Sequence, residues 1–193
     1  NSLTVGKGAN SASGNTVLGE SALDAAVTGQ NNTAIGKQAL TENTTGYNNA
    51  SVGAFSLISN TTGNFNTALG KDALGANTTA SNNTAVGHDA LTANTTAAYN
   101  VAVGSGALKT NTTGGNNTAV GGVALENNTT ASNNTALGNE ALRANTTGTE
   151  NTAVGSMALD ANTTGDYNVA LGFNALTSNT TADNNTAAGR SAL

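Results

Sequence analysis

The residues of this sequence that could carry out acid–base chemistry are its single histidine and the acids near it. His88 directly precedes Asp89, and Asp72 lies 17 positions before Asp89. If the chain repeats with that period, the two carboxylates approach to about 5 Å, the separation found in retaining glycosidases. Catalysis would also need a base, an orienting partner and usually a nucleophile that converge in a pocket. The pattern supplies no such pocket, so we interpret these residues as a solvated turn and predict that the protein is not an enzyme.

Composition argues against several other classes of site. The chain has no cysteine, no Cys/His spacing and no acidic calcium repeat that would bind a metal. Gly104-Ser105-Gly106 is followed by no helix pattern, so these are turn glycines and not a phosphate cradle. The formal net charge of −5 argues against nucleic-acid binding, and no apolar run approaches the roughly 20 residues that cross a bilayer. We expect no cofactor, no metal, no nucleic-acid partner and no membrane insertion of this segment.

Two further groups of side chains could contact a ligand. Phe65, Tyr99 and Tyr167 are separated by multiples of 17 residues, and exposed aromatic rings stack on sugars or on protein partners. They are candidate ligand contacts, with local packing in turns as the alternative. Threonine pairs such as Thr44-Thr45 recur with the same period. Adjacent residues of a strand face opposite sides, so one column of these threonines would face outward, and such an array could bind ice.

A tandem repeat of 17 residues accounts for these spacings. It begins at Asn15, which we number position 1, and its consensus is N-T-A-V-G-x-x-A-L-x-x-N-T-T-G/A-x-x. A shorter unit occupies 2–14, ten complete units occupy 15–184, and a truncated eleventh occupies 185–193. The chain begins at Asn1 and stops within the pattern, so we expect it to be a portion of a longer protein.

The repeat predicts an all-β fold. Asn, Thr and Gly are poor helix formers, and two helices with their loops need more than 17 residues. Two strands of about four or five residues and two turns fit one unit, which predicts a parallel β-solenoid, or β-roll, of 17-residue coils. Stacked coils place equal positions about 4.8 Å apart, so that backbone amides pair from coil to coil.

Invariant positions indicate the core and the turns. Position 4 is Val, Leu or Ile in every unit except the last, and position 9 is always Leu, so we assign both columns to the core. Position 5 is always Gly, which implies a positive φ or a steric limit. The core leucines are Leu23, Leu40, Leu57, Leu74, Leu91, Leu108, Leu125, Leu142, Leu159 and Leu176. The tight-turn glycines are Gly19, Gly36, Gly53, Gly70, Gly87, Gly104, Gly121, Gly138, Gly155 and Gly172.

The remaining columns predict polar ladders and a contact surface. Asn recurs at positions 1 and 12, where stacked side-chain amides can bond from coil to coil. All 17 charged residues fall at positions 6, 7, 10, 11, 16 or 17, which are therefore turns or outward edges. Positions 3 and 8, mostly Ala, form two long stripes. Position 3 faces the side of the strand opposite to that of position 4. We expect chains to pack side by side through these stripes, with a monomeric solenoid as the alternative.

The opening stretch from Gly6 to Gly19, G-K-G-A-N-S-A-S-G-N-T-V-L-G, resembles the head repeat of trimeric autotransporter adhesins, the YadA-like heads. That repeat has the form S-V-A-I-G-x-x-A-x-A-x-G, and the later units resemble its first half with a longer second turn. Similar 17-residue arrays occur in bacterial surface proteins and phage-type tail fibres. The resemblance implies a homotrimeric, left-handed parallel β-roll on a bacterial cell surface or a virion.

Heads of this kind bind matrix proteins through N-S-V-A-I-G stretches. Here Asn32 matches the first residue, Thr33 replaces the Ser, Ala stands in place of the Val, and one residue is missing. We therefore predict a structural rod of an extracellular fibre or surface adhesin, a spacer that could contact a host surface protein or glycan. Alternatives are a phage tail-fibre shaft that binds host glycans and an ice-binding solenoid.

Overall fold

The computed structural model describes residues 4–7, 12–25 and 27–193, and the described part is all-β without a helix. Its twelve strands form one sheet in which the order along the sheet is the order along the chain. The strands are β1 Thr4–Gly6, β2 Thr16–Gly19, β3 Thr33–Ile35, β4 Ala50–Val52, β5 Thr67–Leu69, β6 Thr84–Val86, β7 Val101–Val103, β8 Thr118–Val120, β9 Thr135–Leu137, β10 Thr152–Val154, β11 Val169–Leu171 and β12 Thr186–Ala188.

The predicted parallel β-solenoid is confirmed. From β2 to β12 every neighbouring pair of strands is parallel, and each residue lies beside the residue 17 positions further on. Thr67 pairs with Thr84, for example, and Leu69 pairs with Val86. One turn of the solenoid therefore equals one unit of the repeat, so equal positions form straight columns along the rod.

Each coil contains one strand of three or four residues, not the two longer strands that we expected. The opposite side consists of turns, in which positions 7 and 9 have left-handed backbone, as at Asp89 (φ 56°) and Leu91 (φ 51°). Such residues interrupt an extended chain, so no second strand forms. The backbone of this side still bonds from coil to coil, because the Leu91 amide donates to the Ala107 carbonyl at 3.0 Å.

The first strand departs from the stacking. β1 pairs antiparallel with β2, so that Val5 lies beside Leu18 and Gly6 beside Val17. The segment 2–14, which we expected to be a short first coil, therefore does not continue the parallel register. This segment has four residues fewer than one repeat unit, so it is too short to form a complete coil like the later ones. Residues 8–11 of this segment, and Ala26, lie outside the described part.

The interior of the rod is narrow and is filled from two sides. The turn side contributes the position-9 leucines, of which the ten from Leu23 to Leu176 are buried and Leu193 is exposed, and the small residues of position 8. The strand side contributes position 3, where Ala34, Ala85 and Ala136 have no exposed surface. Because Leu already occupies the space between the two sides, only a small side chain fits opposite it. The core is therefore Leu against Ala.

Our assignment of position 4 to the core is wrong. Leu69 is 48 % exposed and Leu171 is 42 % exposed, whereas their neighbours at position 3 are buried. Positions 3 and 4 do lie on opposite sides of the strand, as alternation requires, but the smaller residue is the one inside. It follows that the two alanine stripes at positions 3 and 8 are internal and cannot be the surface through which chains pack.

Coil 3 contains a paired exception to the alanine interior. Ser51 at position 3 and Ser56 at position 8 are both fully buried. Their hydroxyl oxygens lie 2.6 Å apart, the Ser51 hydroxyl also donates to the Ser56 carbonyl at 2.8 Å, and the Ser56 hydroxyl donates to the Gly53 carbonyl at 2.9 Å. Two serines at facing positions thus satisfy each other where a single buried hydroxyl would be costly.

The position-12 asparagines form a ladder of side-chain amides. Asn77 Nδ2 donates to Asn60 Oδ1 at 2.9 Å, and Asn94 Nδ2 donates to Asn77 Oδ1 at 3.0 Å. Each Nδ2 also donates to the position-15 carbonyl of its own coil, as Asn94 does to Ala97. These side chains are fully buried in the middle coils. The ladder therefore satisfies the buried amides and holds the turn that follows.

The position-1 asparagines connect side chain to backbone instead. The amide N–H of Asn100 donates to Asn83 Oδ1 at 2.9 Å, and Asn100 Nδ2 donates to the Gly114 carbonyl at 3.0 Å. Each Asn thus joins the start and the end of its own coil and binds the next coil. Both asparagine columns are used by the fold.

Candidate functional site

The acid–base residues named above do come together, on the turn side of coils 4 to 6. Ligand atoms of Asp72, His88 and Asp89 lie within 4.8 Å of one another. Two lysines neutralise the carboxylates: Lys109 Nζ lies 3.1 Å from Asp89 Oδ2, and Lys71 contacts Asp72. His88 Nδ1 lies 3.5 Å from the same Asp89 oxygen.

This cluster is open to water. The His88 and Lys71 side chains are more than half exposed. A hydrogen bond from Lys71 to the Asp72 carboxylate raises the pKa of Lys71. Each acid thus faces a lysine: Lys71 lies beside Asp72 in coil 4, and Lys109 of coil 6 pairs with Asp89 of coil 5.

The candidate aromatic contacts lie along one edge of the rod. Phe65, Tyr99 and Tyr167, at position 17, are 50 %, 62 % and 52 % exposed. Their backbone is left-handed, with φ between 57° and 62°, at a column where Asn is the commonest residue. The structure brings Phe65 together with Tyr47, whose ring centroid lies 5.2 Å away at an interplanar angle of 81°. Tyr99 and Tyr167 are four coils apart.

A shallow groove of about 300 Å³ lies beside Tyr47. Its other lining residues are Thr28, Gly29, Gln30, Asn31 and Thr45. An aromatic ring next to amide and hydroxyl groups is the kind of surface on which a sugar binds. Sequence reasoning did not find this groove, because it is formed by positions 14 to 17 of coil 1 together with Thr45 and Tyr47 of coil 2.

The threonine columns differ in their exposure. From Thr44 to Thr163, the hydroxyl of the position-13 threonine donates to the backbone of the next coil, as Thr61 does to the Thr78 carbonyl at 3.1 Å and Thr78 does to the Thr95 carbonyl at 3.2 Å. The position-14 threonines, such as Thr62 and Thr79, are exposed. One threonine column therefore faces outward, and ice binding by it stays a prediction.

A second surface, which we call the sheet face, consists of the outward side chains of β2 to β12. At position 4 these are Leu18, Ile35, Val52, Leu69, Val86, Val103, Val120, Leu137, Val154, Leu171 and Ala188, and at position 2 they are Thr16, Thr33, Ala50, Thr67, Thr84, Val101, Thr118, Thr135, Thr152, Val169 and Thr186. The sheet face is uncharged and runs the length of the parallel stack.

A sequence signal for the sheet face does exist. After coil 1, position 3 is restricted to Ala and Ser, whereas position 4 accepts Ala, Val, Leu and Ile. A column limited to the smallest side chains is limited by packing, and a column that tolerates different volumes is not. Size restriction, and not hydrophobicity, therefore distinguished the inner column from the outer one.

Comparisons of the chain with protein families, with curated proteins and with solved structures gave no match. The described part of the chain has no apolar helix of membrane-spanning length.

Proposed function

We propose that this chain is a non-enzymatic structural rod of an extracellular fibre or surface adhesin, where it serves as a spacer and surface-attachment element. The observation that carries the proposal is the unbroken register, in which each coil pairs with the next in the same columns from β2 to β12. The length of such a rod is set by the number of its coils. The extracellular location, on a bacterial surface or a virion, and the homotrimeric state come from the resemblance to adhesin heads.

Removal of one coil tests the spacer. A variant that lacks residues 100–116 rejoins Tyr99 to Asn117 in register, so it should fold normally and be about 5 Å shorter. Small-angle scattering measures the length, and circular dichroism measures the fold. A matched control that lacks only 100–108 breaks the register and should lose stability. A full-coil deletion that unfolds the rod, or leaves its length unchanged, would contradict the proposal.

Glycan binding by a fibre shaft is the second candidate function, and the aromatic column supports it. Bulky residues with a left-handed backbone carry a conformational cost, and costs of this kind collect at functional positions. Tyr99 and Tyr167 carry it while exposing more than half of their surface. An aromatic ring at this position offers a stacking surface to a sugar or a partner protein.

Replacement by the column's own commonest residue tests this second function. Tyr99→Asn and Tyr167→Asn place a residue that readily adopts the left-handed backbone of this column. We expect each substitution to weaken glycan binding about tenfold or more, because one stacking contact is lost. A glycan array followed by calorimetry measures binding. The control variant is Asn133→Tyr, which adds a ring at the same position of another coil and should not weaken glycan binding. Unchanged binding in the Asn variants, or no saturable binding by the unaltered chain, would argue against this function.

A further inference from the structure

We propose that the sheet face binds a second copy of this chain, so that rods associate through the position-2 and position-4 columns. The inference deepens the proposed function by naming the surface through which rods assemble, and it rests on the rod. The sheet face takes the place of the alanine stripes as the contact surface between chains, because the fold buries those stripes. Three observations support it: the chemistry of the face, its extent and its period.

The chemistry of the sheet face is that of an interface core. In coils 7 to 9, Val120, Leu137 and Val154 are 38 %, 37 % and 36 % exposed, in consecutive strands. The position-2 side chains of these three coils are all Thr. Charged residues are absent from both columns. Depletion of charge with retention of aliphatic surface distinguishes the centre of an interface from ordinary protein surface.

The extent of the sheet face suits a stable contact. Eleven strands spaced about 4.8 Å apart give a face of about 50 Å by 10–15 Å, or roughly 500–750 Å². This area includes the aliphatic position-4 column and the position-2 column, which is mostly threonine. Two such faces in contact would bury about 1,000–1,500 Å² in total, which reaches the range of specific protein–protein interfaces.

The period of the sheet face selects a second copy as its occupant. Each column repeats without a bulge or insertion, because β2 to β12 pair in one constant register. Another copy has the same spacing along its axis, so a contact that fits at one coil fits at every coil. Sheets pack face to face about 10 Å apart, a distance at which Val and Leu side chains interdigitate.

Lysines placed on the sheet face provide the first test. We expect the unaltered chain to sediment as a multimer at micromolar concentration. The triple variant Val120→Lys, Leu137→Lys, Val154→Lys should sediment as a folded monomer, with a dissociation constant raised about 100-fold or more by burial of unpaired charge. The matched control Thr130→Lys, Thr147→Lys, Thr164→Lys adds the same charge to the same coils at exposed position 14, and it should remain a multimer.

Cysteine cross-linking provides a second test that does not depend on added charge, since the chain has no cysteine of its own. Val103 lies in coil 6, the middle of eleven, so in rods whose ends are aligned it lies opposite its counterpart whether the rods run parallel or antiparallel. Face-to-face sheets lie about 10 Å apart, which is too far for a direct disulfide. A bismaleimide with a spacer of about 10 Å should therefore join Val103→Cys chains, by addition of one thiol to each maleimide double bond, but should not join Thr113→Cys chains. An unaltered chain that is monomeric at 100 µM, or equal behaviour of face and control variants, would overturn the inference. Either result leaves the coil-deletion test of the rod unaffected.

Discussion

Substitution of Gly87 by alanine should strongly destabilise the rod. Gly87 has φ +139°, a backbone conformation that side chains of L-residues rarely adopt, and a Cβ there would lie 2.4 Å from the Gly104 carbonyl oxygen of the next coil. The backbone cost and the clash together should lower the free energy of unfolding by about 3 kcal/mol or more. Chemical denaturation and hydrogen exchange at coils 5 and 6 measure the loss.

Gly75 provides the matched control for this substitution. It lies at position 10 in the coil before Gly87, has no left-handed φ, and would place a Cβ 3.2 Å from the nearest atom, the Asp72 carbonyl. Other coils carry Asp, Thr, Ile, Lys, Glu or Arg at this position. Gly75→Ala should therefore be neutral, or should stabilise the chain by about 0.5 kcal/mol through a less flexible unfolded state. Equal losses at the two glycines would contradict our account of the position-5 column.

Leu91→Ala should create a cavity in the middle of the rod. Leu91 has no exposed surface and faces the alanines of the strand side, which are too short to close the gap. Truncation of a buried leucine costs about 2–5 kcal/mol, and we expect a value near 3 because the stacked coils above and below prevent collapse. Hydrogen exchange should show the greatest loss of protection in coils 4 to 6, since each coil of a solenoid contacts only its neighbours.

Val86→Ala is the control that tests which side of the strand is inside. Val86 is partly exposed on the sheet face, whereas Ala85 beside it is fully buried. Val86→Ala should cost less than about 1 kcal/mol when measured at a concentration where rods are dissociated. The opposite change, Ala85→Val, overpacks the interior and should cost about 1–3 kcal/mol. If Val86→Ala lowers the free energy of unfolding more than Leu91→Ala does, our assignment of position 4 to the outer side of the strand would be wrong.

The candidate sites were predictable to different degrees. The approach of Asp72 to Asp89 follows from their 17-residue separation, and the solenoid places both at one turn. Lys71 directly precedes Asp72 in the sequence, but the pairing of Lys109 with Asp89 could not be predicted, because Lys109 reaches Asp89 from position 10 of the next coil. The contact of Tyr47 with Phe65 likewise depends on how far a ring at position 16 extends toward the neighbouring coil. The side chains of a turn are placed by its geometry, which composition alone does not specify.

The sequence by itself determined the period, the parallel register, the buried leucine column and the two asparagine columns. In a chain that repeats without insertion, every coil can form its backbone hydrogen bonds only when residues at equal repeat positions stack on one another. The period therefore fixes these features. Only the tertiary structure decided which of positions 3 and 4 points inward. Alternation makes the two opposite but does not say which is inside, and the answer depends on the volume that Leu and Ala leave free across the coil. The single strand per coil and the reversal of β1 were also decided there, by left-handed turns and by the shorter first unit.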